Sequence, residues 1–263
     1  MRRFIFFIFI LAILTTGCAQ GVSDEEITIA GSTSVEPFAD RWAEVYMEKY
    51  PNTIVNVQGG GSSAGIQAAE SGIANIGTSS RELKPEEKDL KEIIVAYDGL
   101  AIVVHSTNKI DDLTIEQIKQ IFAGQIRNWQ EFGGKDKVIT VVTREEGSGT
   151  RGAFQELVMG KERIFKGSIV QDSNGTVREI VTNDPNAIGY ISLGLVNDKL
   201  KALSLDGIIA TEENIITKRY SLVRPFLFVT KDTPTGEVKK FIDFVLSQEG
   251  QELIREEGLI PVK

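Results

Sequence analysis

Short apolar runs alternate with amphipathic stretches along most of this chain. Residues 27–30 alternate between apolar and polar side chains, which predicts a strand, and residues 35–50 carry apolar side chains at helical spacing. Residues 53–58 and 73–78 predict two further strands, and a glycine-rich loop at 59–65 leads into a helix between them. Strands that alternate with helices form mainly parallel sheets flanked by helices. The pattern therefore predicts the α/β class.

The same alternation continues to the end of the chain. We predict strands at 93–104, 138–143 and 226–229, and helices at 114–122, 150–159 and 235–257. The first helix also has end signals, because Thr33 and Glu36 fit a capping box and Pro51 stops the helix. Pro225 precedes the last strand and cannot donate a hydrogen bond inside a sheet.

The late strand and helix favour a two-lobed arrangement. Elements of this kind commonly return to the first lobe, so we predict a first lobe made of residues 27–104 and 219–263. Residues 105–218 then form an inserted second lobe, and each lobe has the usual size of a domain. The two connections, near 104–106 and 218–225, are expected to act as hinges.

The N-terminus has a different pattern from the rest of the chain. A basic start at residues 1–3 is followed by an unbroken apolar run at 4–14 and by small residues before Cys18. This layout predicts a secretory signal peptide at 1–17, because the apolar run is too short to span a membrane comfortably. Cys18 resembles the lipid-modified cysteine of a bacterial lipobox. We therefore expect secretion across the cytoplasmic membrane and a lipid anchor on its outer face, with residues 18–26 as a lipidated tether.

Acidic residues outnumber basic ones, and the formal net charge of the chain is -8. A chain of this charge repels nucleic acid and anionic membrane surfaces. We therefore expect no nucleic-acid partner, and contact with a membrane only through the lipid anchor. Any anion that binds this chain must be held by local groups.

Three loops carry small hydroxyl-bearing residues and glycines where a predicted strand gives way to a helix. They lie at 31–34, 59–65 and 147–150. A helix N-terminus leaves backbone N–H groups unpaired and carries about half a positive charge, and glycine lets an anion approach them. Arg144 precedes the third loop, and its fork matches two oxygens of a tetrahedral anion. One such loop is more often only a helix cap, but three beside an arginine favour an anion-binding cleft.

A weak internal repeat connects two parts of the chain. Ser62 leads through a helix to Gly77, and Asn174 leads through another helix to Gly189. Both intervals are 15 residues, from 77 − 62 and 189 − 174. Two lobes of similar construction produce such a repeat, and so does ordinary α/β alternation.

The segment Thr-Arg-Glu-Glu-Gly-Ser-Gly-Thr-Arg at 143–151, with the loops at 31–34 and 59–65, resembles the phosphate-binding proteins of ABC-type phosphate importers. The resemblance covers nearly all of the chain after the signal peptide, including 186–190 and 224–225. It implies a two-lobed periplasmic-binding-protein fold, type II-like, in which each lobe is a mixed, mainly parallel sheet flanked by helices. It also implies a monomer without a cofactor, which captures inorganic phosphate between its lobes and delivers it to the membrane permease subunits of an ABC transporter.

The resemblance further implies which residues contact the anion. The expected contacts are Thr33, Ser62, Arg144, Ser148, Gly149 and Thr150, with Ser32, Ser34, Ser63 and Gly147 beside them. Longer members of the family have an Asp that accepts the proton of phosphate and so rejects sulfate, and Ser80 stands at that position here. A hydroxyl can donate or accept, so discrimination against sulfate is less secure. Arg81 is expected to add a second positive group, and a surface arginine is the alternative.

Other classes of function stay open from the sequence. A phosphatase or other hydrolase needs a base or a metal, but the chain has one histidine, His105, and no Asp and His cluster with metal-ligand spacing. We therefore expect neither catalytic residues nor a metal site. A binding protein for sulfate, molybdate or another oxyanion is one alternative, and a sensory or adhesive surface lipoprotein is another.

Overall fold

A computed structural model describes residues 25–262 of the chain. The strands are β1 (Glu25–Gly31), β2 (Thr53–Gln58), β3 (Ile76–Ser79), β4 (Lys91–His105), β5 (Asp112–Leu113), β6 (Thr140–Arg144), β7 (Ile169–Gln171), β8 (Ala187–Ser192), β9 (Leu200–Ala202), β10 (Ser204–Leu205) and β11 (Val223–Thr230). The α-helices are α1 (Glu36–Lys49), α2 (Ser62–Ser71), α3 (Ile115–Phe122), α4 (Gly149–Phe154), α5 (Asn174–Asn183), α6 (Glu212–Ile216), α7 (Gly236–Val245) and α8 (Gln248–Glu256). The predicted signal peptide and Cys18 lie outside the described residues. Within 25–262, no helix has both the length and the apolar character needed to cross a membrane.

Most of the strands belong to one continuous sheet. Its order is β2-β1-β3-β11-β4-β8-β6-β7, and β9 also pairs with β4. In one half β1 runs parallel to β2 and β3, and in the other β6 runs parallel to β7 and β8. Strand β11 runs antiparallel to β3 and β4, and β8 runs antiparallel to β4, so each half of the sheet is mixed, with its antiparallel pairs next to β4. This is the α/β architecture that the alternating pattern predicts.

Strand β4 passes through both halves of the sheet and changes its partners on the way. It pairs with β11 up to Gly99, and with β8 from Leu100 onwards. The chain returns where Leu222 accepts a 2.8 Å hydrogen bond from the amide of Leu100, just before β11 begins. We therefore define lobe 1 as residues 25–99 and 223–262, and lobe 2 as residues 100–222. The sequence places the two connections near 104–106 and 218–225, and that division stays a prediction.

Each lobe has its own apolar core. In lobe 1, α1, α7 and α8 pack on one face of the sheet around Phe38, Trp42 and Phe228. In lobe 2, Phe154 stacks on Tyr190, with ring centroids 4.1 Å apart and planes 9° apart. Both rings are fully buried, so the large aromatic area anchors α4 to the sheet that ends at the cleft.

Helix α2 lies unusually close to the lobe 1 sheet because glycines face each other at the contact. A Cβ on Gly65 would lie 2.4 Å from the carbonyl oxygen of Ala30, and one on Gly77 would lie 2.4 Å from the carbonyl oxygen of Gly65. Such distances exclude any side chain, so the helix and the strands meet backbone to backbone. The contact fixes the position of Ser62, the first residue of the helix.

Two local predictions at helix ends are wrong. Thr33 and Glu36 form no capping box, because the carbonyl of Ser32 accepts from the amides of Val35 and Glu36 at 3.0 and 2.9 Å, and α1 has no side-chain cap. The helix predicted at 235–257 is two helices. Ser247 interrupts it by accepting a 3.2 Å hydrogen bond from the amide of Gly250, which caps α8.

Pro225 lies inside β11 at a position where the strand is paired with only one neighbouring strand. It pairs with Tyr97 of β4, whereas the pairing of β11 with β3 begins only at Leu227. The missing amide proton of the proline therefore interrupts no hydrogen bond on the β3 side, in agreement with the rule for proline in sheets.

Candidate anion-binding site

Four helix N-termini converge between the two lobes. Helices α1 and α2 approach from lobe 1, and α4 and α5 approach from lobe 2. The first amides of each helix have no acceptor within the helix, and the helix dipoles add positive potential at the same place. The three loops identified from the sequence all lie here, so the chain brings its predicted anion-binding elements together.

Arg144, which precedes the third loop, places its cationic side chain between the loops of the two lobes. It is the last residue of β6, and its side chain is only 1% exposed. Its Nε and Nη2 donate to the Glu145 carboxylate at 3.0 and 3.1 Å, and Nη2 also donates to Thr33 Oγ1 across the cleft at 3.2 Å. The carbonyls of Gln171 and Asp172 accept further hydrogen bonds from Nε and Nη2. Nη1 is buried and has no hydrogen-bond partner among the described residues.

The hydroxyls of lobe 1 are linked to one another. Ser32 Oγ donates to Ser80 Oγ at 2.8 Å, and the amide of Ser80 donates to Ser62 Oγ at 3.1 Å. The amide of Ser34 donates to Ser32 Oγ at 3.2 Å. All four serines are buried, so their positions are fixed by these contacts and not by solvent.

The two lobes contact each other directly across the site. A Cβ on Gly149 would lie 2.1 Å from Ser62 Oγ and 2.6 Å from Ser80 Oγ. The amide of Ser63 donates to the carbonyl of Gly147 at 3.1 Å. The conformation is therefore closed, and glycines of lobe 2 are in contact with hydroxyls of lobe 1.

Ser148 has a capping role at the start of α4. Its Oγ accepts a 3.2 Å hydrogen bond from the amide of Arg151, and the residue is 2% exposed. Arg151 in turn donates from Nη1 to the carbonyl of Arg144 at 2.8 Å, which braces the backbone beside the site. One hydroxyl can cap a helix and still donate its proton, so both roles are compatible.

Arg81 is close to the site but its charge is already balanced. It forms a bidentate ion pair with Glu87 at 2.8 and 2.9 Å, and the hydrogen bonds from Arg81 lower the pKa of Glu87. Its Nη2 also donates to Ser63 Oγ at 3.3 Å. Arg81 is 7% exposed, so it is not a surface arginine. Direct contact of Arg81 with an anion stays a prediction.

Sequence reasoning missed three residues that contact this network. Asn174 donates from Nδ2 to Ser34 Oγ at 2.8 Å and to Thr33 Oγ1 at 3.3 Å. Arg224 donates to Ser34 Oγ at 3.1 Å and forms a fully buried ion pair with Asp98, with 2.8 Å between Nη2 and Oδ2. Burial raises the pKa of Asp98 while the charge of Arg224 opposes that rise.

The internal repeat contained a signal for one of these residues. Asn174 occupies the place in its unit that Ser62 occupies in the other, at the first position of the helix. For Asp98 and Arg224, the available signal is a charge inside an apolar strand region, because buried charges are normally paired.

The features that would indicate an enzyme are not gathered at this site. His105 lies at the end of β4, where its Nδ1 contacts Thr107 at 2.9 Å and not the cleft. Within residues 25–262, no group of three or more His, Cys, Asp or Glu side chains is arranged to bind a metal ion.

Comparison with known proteins gives a consistent family. A family model described as a PBP superfamily domain matches residues 17–249. The phosphate-binding protein PstS of Bacillus subtilis is 36% identical over 244 residues, which cover 90% of this chain and 80% of that protein. PstS of Borreliella burgdorferi is 33% identical over 280 residues and covers both chains completely, at 100% each.

Solved structures agree with the sequence comparisons. A phosphate ABC transporter substrate-binding protein from Clostridium perfringens, solved with bound phosphate, is 46% identical with a TM-score of 0.88, and the match covers 91% of this chain and 100% of that one. An ABC-type phosphate transport receptor from Vibrio cholerae is 41% identical with a TM-score of 0.75, covering 89% and 99%. The two-lobed periplasmic-binding-protein fold predicted from the sequence is confirmed.

Proposed function

Because the chain belongs to the PBP superfamily, and within it to the PstS-type phosphate-binding proteins, we propose that it captures inorganic phosphate between its lobes for an ABC phosphate importer. It is a solute-binding protein and not an enzyme. The ligand is a tetrahedral oxyanion held by hydrogen bonds from neutral groups and from Arg144.

One observation carries the proposal. The guanidinium of Arg144 is buried, and its Nη1 has no hydrogen-bond partner among the described residues, although nearly all buried polar groups in proteins are paired. Helix N-termini and hydroxyls of both lobes surround this part of the cleft. A phosphate oxygen would accept from Nη1 and from these groups at the same time.

Closure of the lobes is the proposed mechanism of capture. Thr33 and Ser62 belong to lobe 1, whereas Arg144, Gly149 and Thr150 belong to lobe 2, so an anion contacts all of them only when the lobes are together. A ligand that binds one conformation better shifts the population towards it. The hinge is formed by β4 and β11 near Gly99 and Val223.

The balance of charge at the site supports binding of an anion without a strongly positive pocket. Glu145 pairs with Arg144, Asp98 with Arg224 and Glu87 with Arg81, so each nearby arginine is matched by a carboxylate. Hydroxyl and amide dipoles must then supply most of the attraction. Ser80, which stands at the family position of an Asp, would accept the proton of phosphate through its hydroxyl oxygen.

The proposal includes a location and partners. The N-terminal pattern supports export followed by lipid attachment at Cys18, and family membership supports a monomer that docks on permease subunits. Metabolic labelling with a fatty acid analogue tests the anchor, since replacement of Cys18 by Ser would abolish labelling. Labelling that persists in the variant would refute lipidation at this residue.

Calorimetric titration of the chain from Ala19 onwards, after removal of co-purified ligand, tests the function. We expect one phosphate per chain, no binding of sulfate, and a loss of at least about 100-fold in affinity for Arg144→Ala, because charge-assisted hydrogen bonds are lost. Arg163→Ala, which changes an exposed arginine of the same lobe, is the matched control and should bind normally. Equal binding of sulfate would contradict specificity for phosphate and show that the site binds oxyanions in general. No binding of either anion would refute the proposal.

A further inference from the structure

The hydroxyl of Ser34 lies at the centre of a buried network that joins the two lobes and the hinge. Its Oγ is 2.8 Å from Thr150 Oγ1, 2.8 Å from Asn174 Nδ2 and 3.1 Å from Arg224 Nη2. Ser34 is 0% exposed, so water does not compete for these contacts. The direction of each hydrogen bond in the network can therefore be worked out.

Two of the three partners of Ser34 are donors only. The Asn174 Nδ2 amide and the Arg224 guanidinium both donate, and a hydroxyl oxygen has two lone pairs to accept them. With both lone pairs engaged, the Ser34 proton has one remaining partner, Thr150 Oγ1. Ser34 must donate across the cleft to Thr150.

This direction determines what Thr150 can do. Thr150 accepts from Ser34, and Ser34 is the one hydrogen-bond partner of its Oγ1 among the described residues. Thr150 is 1% exposed and stands in the first turn of α4, beside Gly149. Its own proton is therefore available for the cleft.

The Arg224 donor cannot turn away from Ser34. Its Nε and Nη2 are paired with Asp98 Oδ2 at 2.9 and 2.8 Å. Asp98 Oδ1 also accepts from Ser192 Oγ at 2.8 Å and from the amide of Leu193 at 3.2 Å, both in lobe 2. A pair buried with this many hydrogen bonds keeps one geometry.

We propose that Arg224 and Asn174 are positioning residues for anion binding. They act through Ser34, which orients the Thr150 hydroxyl so that it donates a hydrogen bond to the anion. The Ser34 hydroxyl then acts without touching the ligand, although the resemblance placed Ser34 beside the expected anion contacts. The inference rests on the proposed function, since it concerns the same site. It predicts that Ser34 matters only while Thr150 has a hydroxyl.

A double-mutant cycle on the chain from Ala19 onwards, which contains both halves of the sheet and both cores, tests this dependence. Phosphate affinity would be measured by calorimetry for the wild type, Ser34→Ala, Thr150→Val and the double variant. We expect each single change to weaken binding roughly five- to tenfold, the range of one hydrogen bond. The double variant should bind no more weakly than Thr150→Val alone, because Ser34 has lost the group through which it acts.

A conservative variant and a control exclude a general structural effect. In the Thr150→Ser background the hydroxyl is retained, so Ser34→Ala should again weaken binding by the same factor. Ser71→Ala, at the exposed end of α2, removes a serine hydroxyl far from the network and should leave affinity unchanged. Thermal unfolding without phosphate would identify any variant that fails to fold, and Asn174→Ala in place of Ser34→Ala then provides a second cycle with Thr150→Val.

The outcomes separate the two levels of the argument. Losses that multiply in the double variant would overturn the inference and leave phosphate binding intact, since Ser34 would then contact the anion or the fold independently of Thr150. A wild type that binds neither phosphate nor sulfate would overturn the proposed function together with the inference.

Discussion

Two helix–strand units, one in each lobe, begin at Ser62 and at Asn174. They have the same number of residues between the helix start and the strand glycine, but they pack differently. Both end at a glycine in a strand, Gly77 in β3 and Gly189 in β8. The residue opposite Gly77 is Gly65, with its carbonyl oxygen 2.4 Å from where a Cβ on Gly77 would lie. The residue opposite Gly189 is Val177, whose Cγ1 would lie 2.8 Å from the corresponding Cβ.

This difference sets how far each helix lies from its sheet. It therefore also determines which type of side chain at the start of the helix can reach the opposite lobe across the cleft. In lobe 1 the backbones touch, and the short Ser62 side chain already lies against Gly149 of the other lobe. In lobe 2 a valine separates helix from strand, and the longer Asn174 side chain extends to Ser34 of lobe 1 at 2.8 Å. Similar units therefore supply different chemistry because one buried position holds glycine or valine.

Removing the close contact should have the largest effect. Gly65→Ala would place a methyl group 2.4 Å from the carbonyl oxygen of Ala30 and 2.5 Å from the Cα of Gly31, both backbone atoms that cannot move aside. We expect a loss of about 3 kcal/mol or more in the free energy of unfolding, measured by urea denaturation.

A helical glycine of the other unit is the matched control. A Cβ on Gly175 would meet only Ser173 Oγ, at 3.7 Å, so Gly175→Ala should be neutral or stabilise by up to about 1 kcal/mol. Equal stability of the Gly65→Ala variant and the wild type would contradict the backbone contact.

The second prediction concerns what the close helix meets across the cleft. Gly149→Ala would place a methyl group 2.1 Å from Ser62 Oγ, where the lobes close on the anion. We expect a loss of at least about 100-fold in phosphate affinity with little change in the unfolding free energy, because open lobes have room for the methyl group. Calorimetry and urea denaturation measure the two quantities, and normal affinity would show that closure does not bring these residues together.

The third and smallest prediction compares the two helix-starting side chains. Asn174→Ala removes donors to Thr33 and Ser34 of the opposite lobe, so we expect roughly a tenfold loss of phosphate affinity. Ser62→Ala removes one hydroxyl within lobe 1, and we expect roughly a fivefold loss. Small-angle scattering with saturating phosphate should show a larger open fraction for Asn174→Ala than for Ser62→Ala, and the reverse order would contradict the different reach of the two side chains.

The alternation of strands and helices was sufficient to predict the fold class, because each lobe buries both faces of its sheet under the apolar faces of amphipathic helices and connecting segments. The three loops of glycine and hydroxyl residues could also be located in the sequence, and the structure brings them to one cleft, while their contact with an anion stays a prediction. Asn174, the first residue of α5, was visible only as part of a repeat. Its amide gave no hint of its partner, because Ser34 is 140 residues away in the chain.

Side-chain pairing could not be predicted from local patterns. Arg81 is paired with Glu87 and Arg224 with Asp98, and each pair depends on where separate elements meet in the fold. Glu145 next to Arg144 is the exception, and it is adjacent in sequence. The break at Ser247 was missed because the apolar spacing of the two helices continues across it, although the serine is a common N-cap.

The position of β11 also determines the order in which the two lobes can be completed while the chain is synthesised from its N-terminus. Lobe 2 is one contiguous segment, residues 100–222, and has all its strands and helices once that segment is present. Lobe 1 lacks the strand that links β3 to β4 until Val223–Thr230 arrives between them. Until then β3 and β4 expose unpaired edges, which favour aggregation. A chain synthesised only as far as residue 222 therefore has every strand and helix of its second lobe but an unfinished first one, and this is the stage at which a chaperone would be needed most.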